Sequence, residues 1–173
     1  SVFAFCSSYA QTGWIMQKSG TTANLFGIST YDGRNAVAVG DKGTVVTTDY
    51  AGVPWTLQKN PTDSILRGLT SISAKILCAV GFRDSIFRST DRGYTWNSVK
   101  SAWRGECFSD MGHNQLPDNF RIDRHAILTA ITYDSISKLC IAVGDQQECV
   151  MSDDSGKHWT EKIKYHSRNV KLP

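Results

Sequence analysis

"STDRGYTWNSV" (residues 89–99) and "SDDSGKHWTEK" (residues 152–162) set the same four residue types at the same intervals. Ser89, Asp91, Gly93 and Trp96 in the first match Ser152, Asp154, Gly156 and Trp159 in the second. The tryptophans act as a ruler. Trp14, Trp55 and Trp96 are spaced 41 residues apart, and Trp159 follows Trp96 by 63, one period with 22 extra residues. A second marker keeps the register: "AVG" occurs at 38–40, 79–81 and 142–144, each glycine 15 residues before its Trp. Seven positions before each Trp stands a hydroxyl residue (Ser7, Thr48, Ser89, Ser152), and nine before it a large apolar one (Phe5, Val46, Phe87, Val150). Three before it stand Gln11, Gly52, Gly93 and Gly156.

A repeat of this length is one supersecondary unit that buries its faces only by stacking on its neighbours. Within residues 56–96, "ILRGLTSI" is apolar-rich, "AKILCAVG" is nearly continuous, "DSIFRST" alternates and "YTWNSV" follows a turn. Four short strands separated by Gly-rich turns predict an all-β unit. Continuous runs such as "NAVAVG" and "KLCIAVG" suit strands covered on both faces. Four strands in about 40 residues is a propeller blade. The expected fold is therefore a β-propeller of four-stranded antiparallel blades. About three and a half blades are expected here, fewer than the four to eight that usually close a ring. The chain also starts with Ser1 and not Met. A larger propeller is the first expectation, and closure by a partner chain or homodimer the second.

The expected divisions are the last two strands of a preceding blade (1–18), blades at 19–59, 60–100 and 127–164, an insertion at 101–126, and a tail or next blade start at 165–173.

The S-x-D-x-G-x-x-W pattern resembles the Asp box, or BNR repeat, of sialidase-type propellers. There a tight turn joins the third and fourth strands of a blade. The residue types fit: Gly takes positive φ, Asp and Ser accept or donate across the turn, and Trp buries its ring. Thr48, Gly52 and Trp55 carry a degraded copy with Tyr50 at the Asp position and Asp49 beside it. The wider pattern, "AVGDKGTVVTTDYAGVPW" and "AVGFRDSIFRSTDRGYTW", resembles propellers of the photosystem II stability and assembly factor type. That resemblance implies a non-enzymatic scaffold or protein-interaction module, an assembly factor or a subunit of a larger complex. Its implied partner is another protein or the remaining blades of the same propeller.

Composition narrows the alternatives. Apolar residues make up 40% of the chain, enough to bury a core, and the longest apolar runs are far too short to span a bilayer. A formal charge of +3 argues against a nucleic-acid partner. A removed targeting segment would place the protein in an organelle lumen or the secretory pathway. Five cysteines without a CxxC, and four histidines without ligand spacing, give no reason to expect a metal or cofactor. Cys78 and Cys140 sit in apolar runs and read as small core residues.

An enzyme is the competing class. Sialidases carry a [FY]-R-I-P motif, and "FRID" at 120–123 puts Arg121 in partial register with it. That motif precedes the first Asp box in those enzymes, whereas here it follows two or three copies. Tyr31 and Tyr133, in "STYD" and "ITYD", read as matching repeat positions and not as a nucleophile. No catalytic residue is assigned. A secreted or surface recognition module is the third reading. The insertion concentrates Trp103, Arg104, Phe108 and Arg121, residue types that anchor protein interfaces or decorate a neutral loop.

Overall fold

The computed structural model describes residues 16–83, 85–100, 127–145 and 149–161. Twelve strands form three separate four-stranded antiparallel sheets. The first holds β1 (Leu25–Thr30), β2 (Ala36–Gly40), β3 (Val45–Thr48) and β4 (Thr56–Leu57). The second holds β5 (Leu66–Ser71), β6 (Leu77–Gly81), β7 (Ile86–Ser89) and β8 (Asn97–Val99). The third holds β9 (Leu128–Asp134), β10 (Leu139–Gly144), β11 (Cys149–Ser152) and β12 (Thr160–Glu161). Each sheet is a meander in chain order, which is a propeller blade. Helix among the described residues is limited to a single 3-10 turn, Asp41–Gly43.

The first strands of successive blades, β1, β5 and β9, lie side by side and form the hub. Two glycines set that spacing. A Cβ on Gly27 would come within 3.2 Å of Arg67 O and Leu69 N, and one on Gly68 within 3.2 Å of Ala130 Cα and Ile131 N. Ser29 Oγ also donates to Ser71 Oγ across the first pair of hub strands, at 2.9 Å.

The core lies between blades, as expected for strands covered on both faces. Val37, Val39 and Val45 of the first blade pack on Leu66, Leu69, Leu77, Ala79 and Phe87 of the second. Cys78, Val80 and Ile86, on the second blade's other face, pack on Leu128, Cys140, Ala142, Val150 and Trp159 of the third. Residues 77 and 79 thus point to one neighbour and residues 78 and 80 to the other, the period of two of a pleated strand.

The "AVG" glycine has a specific cause. At the start of each hub strand a bulge brings two backbones together. A Cβ on Gly40, Gly81 or Gly144 would meet Asn24 O at 1.9 Å, Ile65 O at 2.0 Å or Ile127 O at 2.2 Å. The next residue then donates to that same carbonyl in every blade: Asp41 N to Asn24 O, Phe82 N to Ile65 O and Asp145 N to Ile127 O, at 2.9, 3.0 and 3.1 Å.

Two expectations need correction. The three tryptophans are not equally buried: Trp159 is 1% exposed, but Trp55 and Trp96 are only half-buried. Tyr31 and Tyr133 are not equivalent. Tyr133 pairs with Cys140, whereas Thr30 is the residue that pairs with Ala36, so Tyr31 falls one position beyond the strand. Counted from the residue that pairs with the "AVG" glycine, Tyr133 is the fifth after Leu128, whereas Tyr31 is the sixth after Leu25, and the β9–β10 hairpin encloses one residue more than the β1–β2 hairpin. Tyr133 packs against the core, and Tyr31 is 60% exposed.

The unequal burial predicts a graded series. Trp159→Ala should cost about 3–5 kcal/mol, as for a fully buried aromatic truncation. Trp96→Ala and Trp55→Ala should cost clearly less. Urea denaturation of the three variants checks this, and equal losses would contradict it.

Candidate functional site

The S-x-D-x-G-x-x-W segments all lie between the third and fourth strands of a blade. In the second blade Ser89, wholly buried, accepts from Gly93 N at 2.9 Å and donates to Asp91 Oδ1 at 2.8 Å. Asp91 also accepts from Thr95 N at 2.9 Å, and Trp96 Nε1 donates to Gly93 O at 2.9 Å. The third blade repeats the set. Gly156 N donates to Ser152 Oγ and Ser152 Oγ to Asp154 Oδ1, both at 2.9 Å, and Trp159 Nε1 donates to Gly156 O at 3.2 Å. Asp154 Oδ1 further accepts from Lys157 N and His158 N at 3.0 Å, and the exposed His158 ring contacts Asp154 Oδ2.

The first blade keeps only part of this set. Gly52 N donates to Thr48 Oγ1 at 3.1 Å, but Trp55 Nε1 donates to Gln17 Oε1 at 2.9 Å. Tyr50, at the Asp position, is 67% exposed. The neighbouring Asp49 does not close the turn and instead accepts from Tyr94 OH of the second blade, at 2.6 Å. This bond between blades raises the Tyr94 pKa, chiefly through the hydrogen bond itself.

Each turn holds two successive residues in the left-handed region: Ala51 and Gly52, Arg92 and Gly93, Ser155 and Gly156. Gly93 and Gly156 are also pressed onto the preceding blade. A Cβ on Gly93 would meet Val37 Cγ2 at 3.0 Å, and one on Gly156 would meet Cys78 Sγ at 2.3 Å. Val37 and Cys78 occupy equivalent positions of β2 and β6. Arg88 Nε adds a 2.8 Å bond to Ser155 O. The turns are therefore contact points between blades.

The carboxylates are fully engaged. Burial raises the Asp91 pKa, but the hydrogen bonds from Thr95 and Ser89 outweigh it and hold the group below the usual range. Burial likewise opposes ionisation of Asp154, yet donation from His158, Ser152 and Lys157 holds it well below that range. Neither is poised as a general acid, which needs a raised pKa. Below these turns, burial pushes the Cys78 thiol up to about 12 and the Cys140 thiol up to about 11, the opposite of an activated nucleophile.

The other end of the blades carries different chemistry. There the bulges place one extra residue at the head of each hub strand: Phe26, Arg67 and Thr129. All three are exposed, Phe26 at 45%. The Arg67 guanidinium lies over the Phe26 ring, 5.2 Å from its centroid. At the same end, the Arg83 guanidinium lies 5.8 Å from the centroid of the Phe82 ring. Residue order gave no sign of the Phe26–Arg67 contact, because it joins two blades through a bulge. β8 ends and β9 begins at this end of the blades, and residues 101–126, expected to be an insertion, lie between them in the chain. Trp103, Arg104, Phe108 and Arg121 fall within that segment and lie outside the described residues.

No family model and no curated protein matches the chain. Solved structures do. YCF48 bound to D1 peptide matches with a TM-score of 0.58 at 17% identity, over 82% of this chain and 41% of that one. YCF48 from Cyanidioschyzon merolae matches at 0.52 and 18% identity, over 82% of this chain and 37% of that one. An ancestral GH74 enzyme matches at 0.55 and 13% identity, over 81% of this chain and 18% of its own. The chain thus spans about two fifths of the YCF48 chains, and it has the fold of these β-propellers.

Two outcomes follow from the turn geometry. Gly156→Ala should destabilise by about 2 kcal/mol or more, from positive φ and the contact with Cys78. The loss should shrink in a Cys78→Ala background, and a double-mutant cycle in urea measures the coupling. The second outcome concerns acid. Asp91 and Asp154 have folded pKa values below their unfolded ones. Their contribution is therefore fully present above about pH 4 and is lost as pH falls through the lower folded values. The Asp91→Asn, Asp154→Asn double variant should be slightly less stable at pH 7 and lose less on acidification. An unchanged acid limb in a pH series of thermal midpoints would contradict this.

Proposed function

We propose that the chain is part of a non-enzymatic β-propeller that scaffolds an assembly by holding a polypeptide partner at the bulged end of its blades. The observation that carries this reading is the exposed Phe26–Arg67 pair. An exposed aromatic ring with a guanidinium stacked on it is a surface suited to polypeptide, because it offers apolar area and hydrogen-bond donors in one fixed place. The turns at the opposite end leave little free for recognition, since their hydroxyls, carboxylates and indole N–H groups are already bonded within the fold. YCF48, which shares this fold, has been solved bound to D1 peptide, and that supports a polypeptide ligand by analogy of fold alone. The insertion leaves and re-enters the fold at the bulged end. Trp103, Arg104, Phe108 and Arg121 are proposed to extend the same surface.

A glycosidase is the second reading, favoured by the likeness to an ancestral GH74 enzyme. The hydrogen-bonded state of Asp91 and Asp154 weighs against these carboxylates as its acid and base. Release of reducing sugar from a panel of glycosides would favour the enzyme.

Phe26→Ala and Arg67→Glu should each weaken capture of the native partner at least about tenfold, the loss typical of an interface anchor. Their stability should stay within about 0.5 kcal/mol of the parent, as for exposed positions. Asp154→Asn should leave capture unchanged. Affinity purification from the source cells, quantified by mass spectrometry, reads all three. Undiminished capture by Arg67→Glu would remove the hub surface from the account.

A further inference from the structure

The two interfaces between blades end differently at the β1–β2 and β5–β6 hairpins. Between the second and third blades, Ile72 is 6% exposed, and Ile76 and Tyr133 pack against the same core. Counted along the paired strands, Tyr31, Asn35 and Ser71 hold those places between the first and second blades. Tyr31 is 60% exposed, and a cleft lies where the apolar set would be. Its floor admits about one water-sized group, about 10 Å³. Asp49 of the first blade and Arg92 of the second also line it. The residues at their places in the second interface, Thr90 and Ser155, carry no charge.

Several polar groups of the cleft are available. Ser29 Oγ donates to Ser71 Oγ at 2.9 Å, and the Ser71 hydroxyl has no acceptor among the described residues. Asp49 receives Tyr94 OH on Oδ2, and its other oxygen has no donor among the described residues. The Arg92 backbone N–H donates to Lys75 O at 3.0 Å, but its guanidinium has no acceptor among the described residues.

We propose that this cleft binds a neutral saccharide, with one hydroxyl in its floor, vicinal hydroxyls between Asp49 and Arg92, and one face of the pyranose ring on Tyr31. The carboxylate disfavours an anion and the guanidinium a cation, so the pair selects an uncharged ligand. A hydroxyl both donates and accepts, so two neighbouring ones serve Asp49 and Arg92 together, in charge-assisted bonds. The C–H groups on a pyranose face suit the negative face of the Tyr31 ring. A peptide amide fits less well, because its N–H and C=O point in opposite directions. The site binds without hydrolysing, and it is independent of the Phe26–Arg67 surface at the other end of the blades.

Saturation-transfer NMR with the full chain tests this. The probes are the methyl glycosides of glucose, galactose, mannose and N-acetylglucosamine, with acetyl-glycylglycine amide as the peptide probe. At least one glycoside should receive saturation, strongest on one face of the ring, with a Kd on the order of 1 mM. Tyr31→Ala and Arg92→Gly should each weaken it at least about tenfold. Arg92 has φ 67, which glycine adopts without strain, so that variant keeps the turn. Asn35→Ile with Ser71→Tyr transplants the apolar set of the second interface and should abolish binding. Should that double variant fail to fold, the two single variants decide. Phe26→Ala should leave glycoside binding unchanged, so this proposal and the polypeptide-binding one fail separately. Three results would each overturn the proposal: no saturation of any glycoside, saturation untouched by Tyr31→Ala and Arg92→Gly, or saturation of the peptide probe alone.

Discussion

A buried hydroxyl holding a buried glycine amide is the contact on which this fold depends. It occurs three times: Thr48 with Gly52, Ser89 with Gly93, and Ser152 with Gly156. All three hydroxyl residues are nearly or wholly buried, so an unpaired N–H there would carry its full desolvation cost. The glycine must also bend back in the left-handed region, and in the second and third blades it lies against the preceding blade. One short turn therefore closes a blade, satisfies a buried donor and sets the distance to the next sheet. The Trp that follows locks it by donating to the glycine carbonyl in the second and third blades.

This division of labour separates the two ends of the blades. One end is used up by turns whose polar groups are bonded internally and whose glycines face neighbouring side chains. The other end carries bulges, which project one residue out of each hub strand, and receives the long connection from β8 to β9. Fixed turns at one end and varied residues at the other are what the proposed scaffold would use, with a framework that repeats and a surface that does not. The buried thiols and engaged carboxylates belong to the framework.

Much of this was legible in residue order, because a repeat exposes its own constraints. The 41-residue period located the blades, and the Ser–Gly–Trp spacing located the turns. The "AVG" glycine was visible as a marker, but its cause was not: it lies in the carbonyl of Asn24, Ile65 or Ile127, well before it in the chain and brought close only by the bulge. The Asp49–Tyr94 and Phe26–Arg67 contacts were hidden for the same reason, each joining residues of different blades. Tyr31 and Tyr133 misled because identical tripeptide contexts sit on hairpins of different length. Half-buried Trp55 also departs from the repeat, since its N–H turns to Gln17 and not to the glycine carbonyl.

Amide hydrogen exchange at single-residue resolution tests the role of the glycine turns most directly. If the turns are the seams between blades, the Gly93 and Gly156 amides should exchange as slowly as those of β6 and β10, although they lie in turns. That slow class opens only with global unfolding. Exchange of these two amides at the rate of the exposed Tyr31–Arg34 loop would show that the turns are surface ornaments, and would contradict the account.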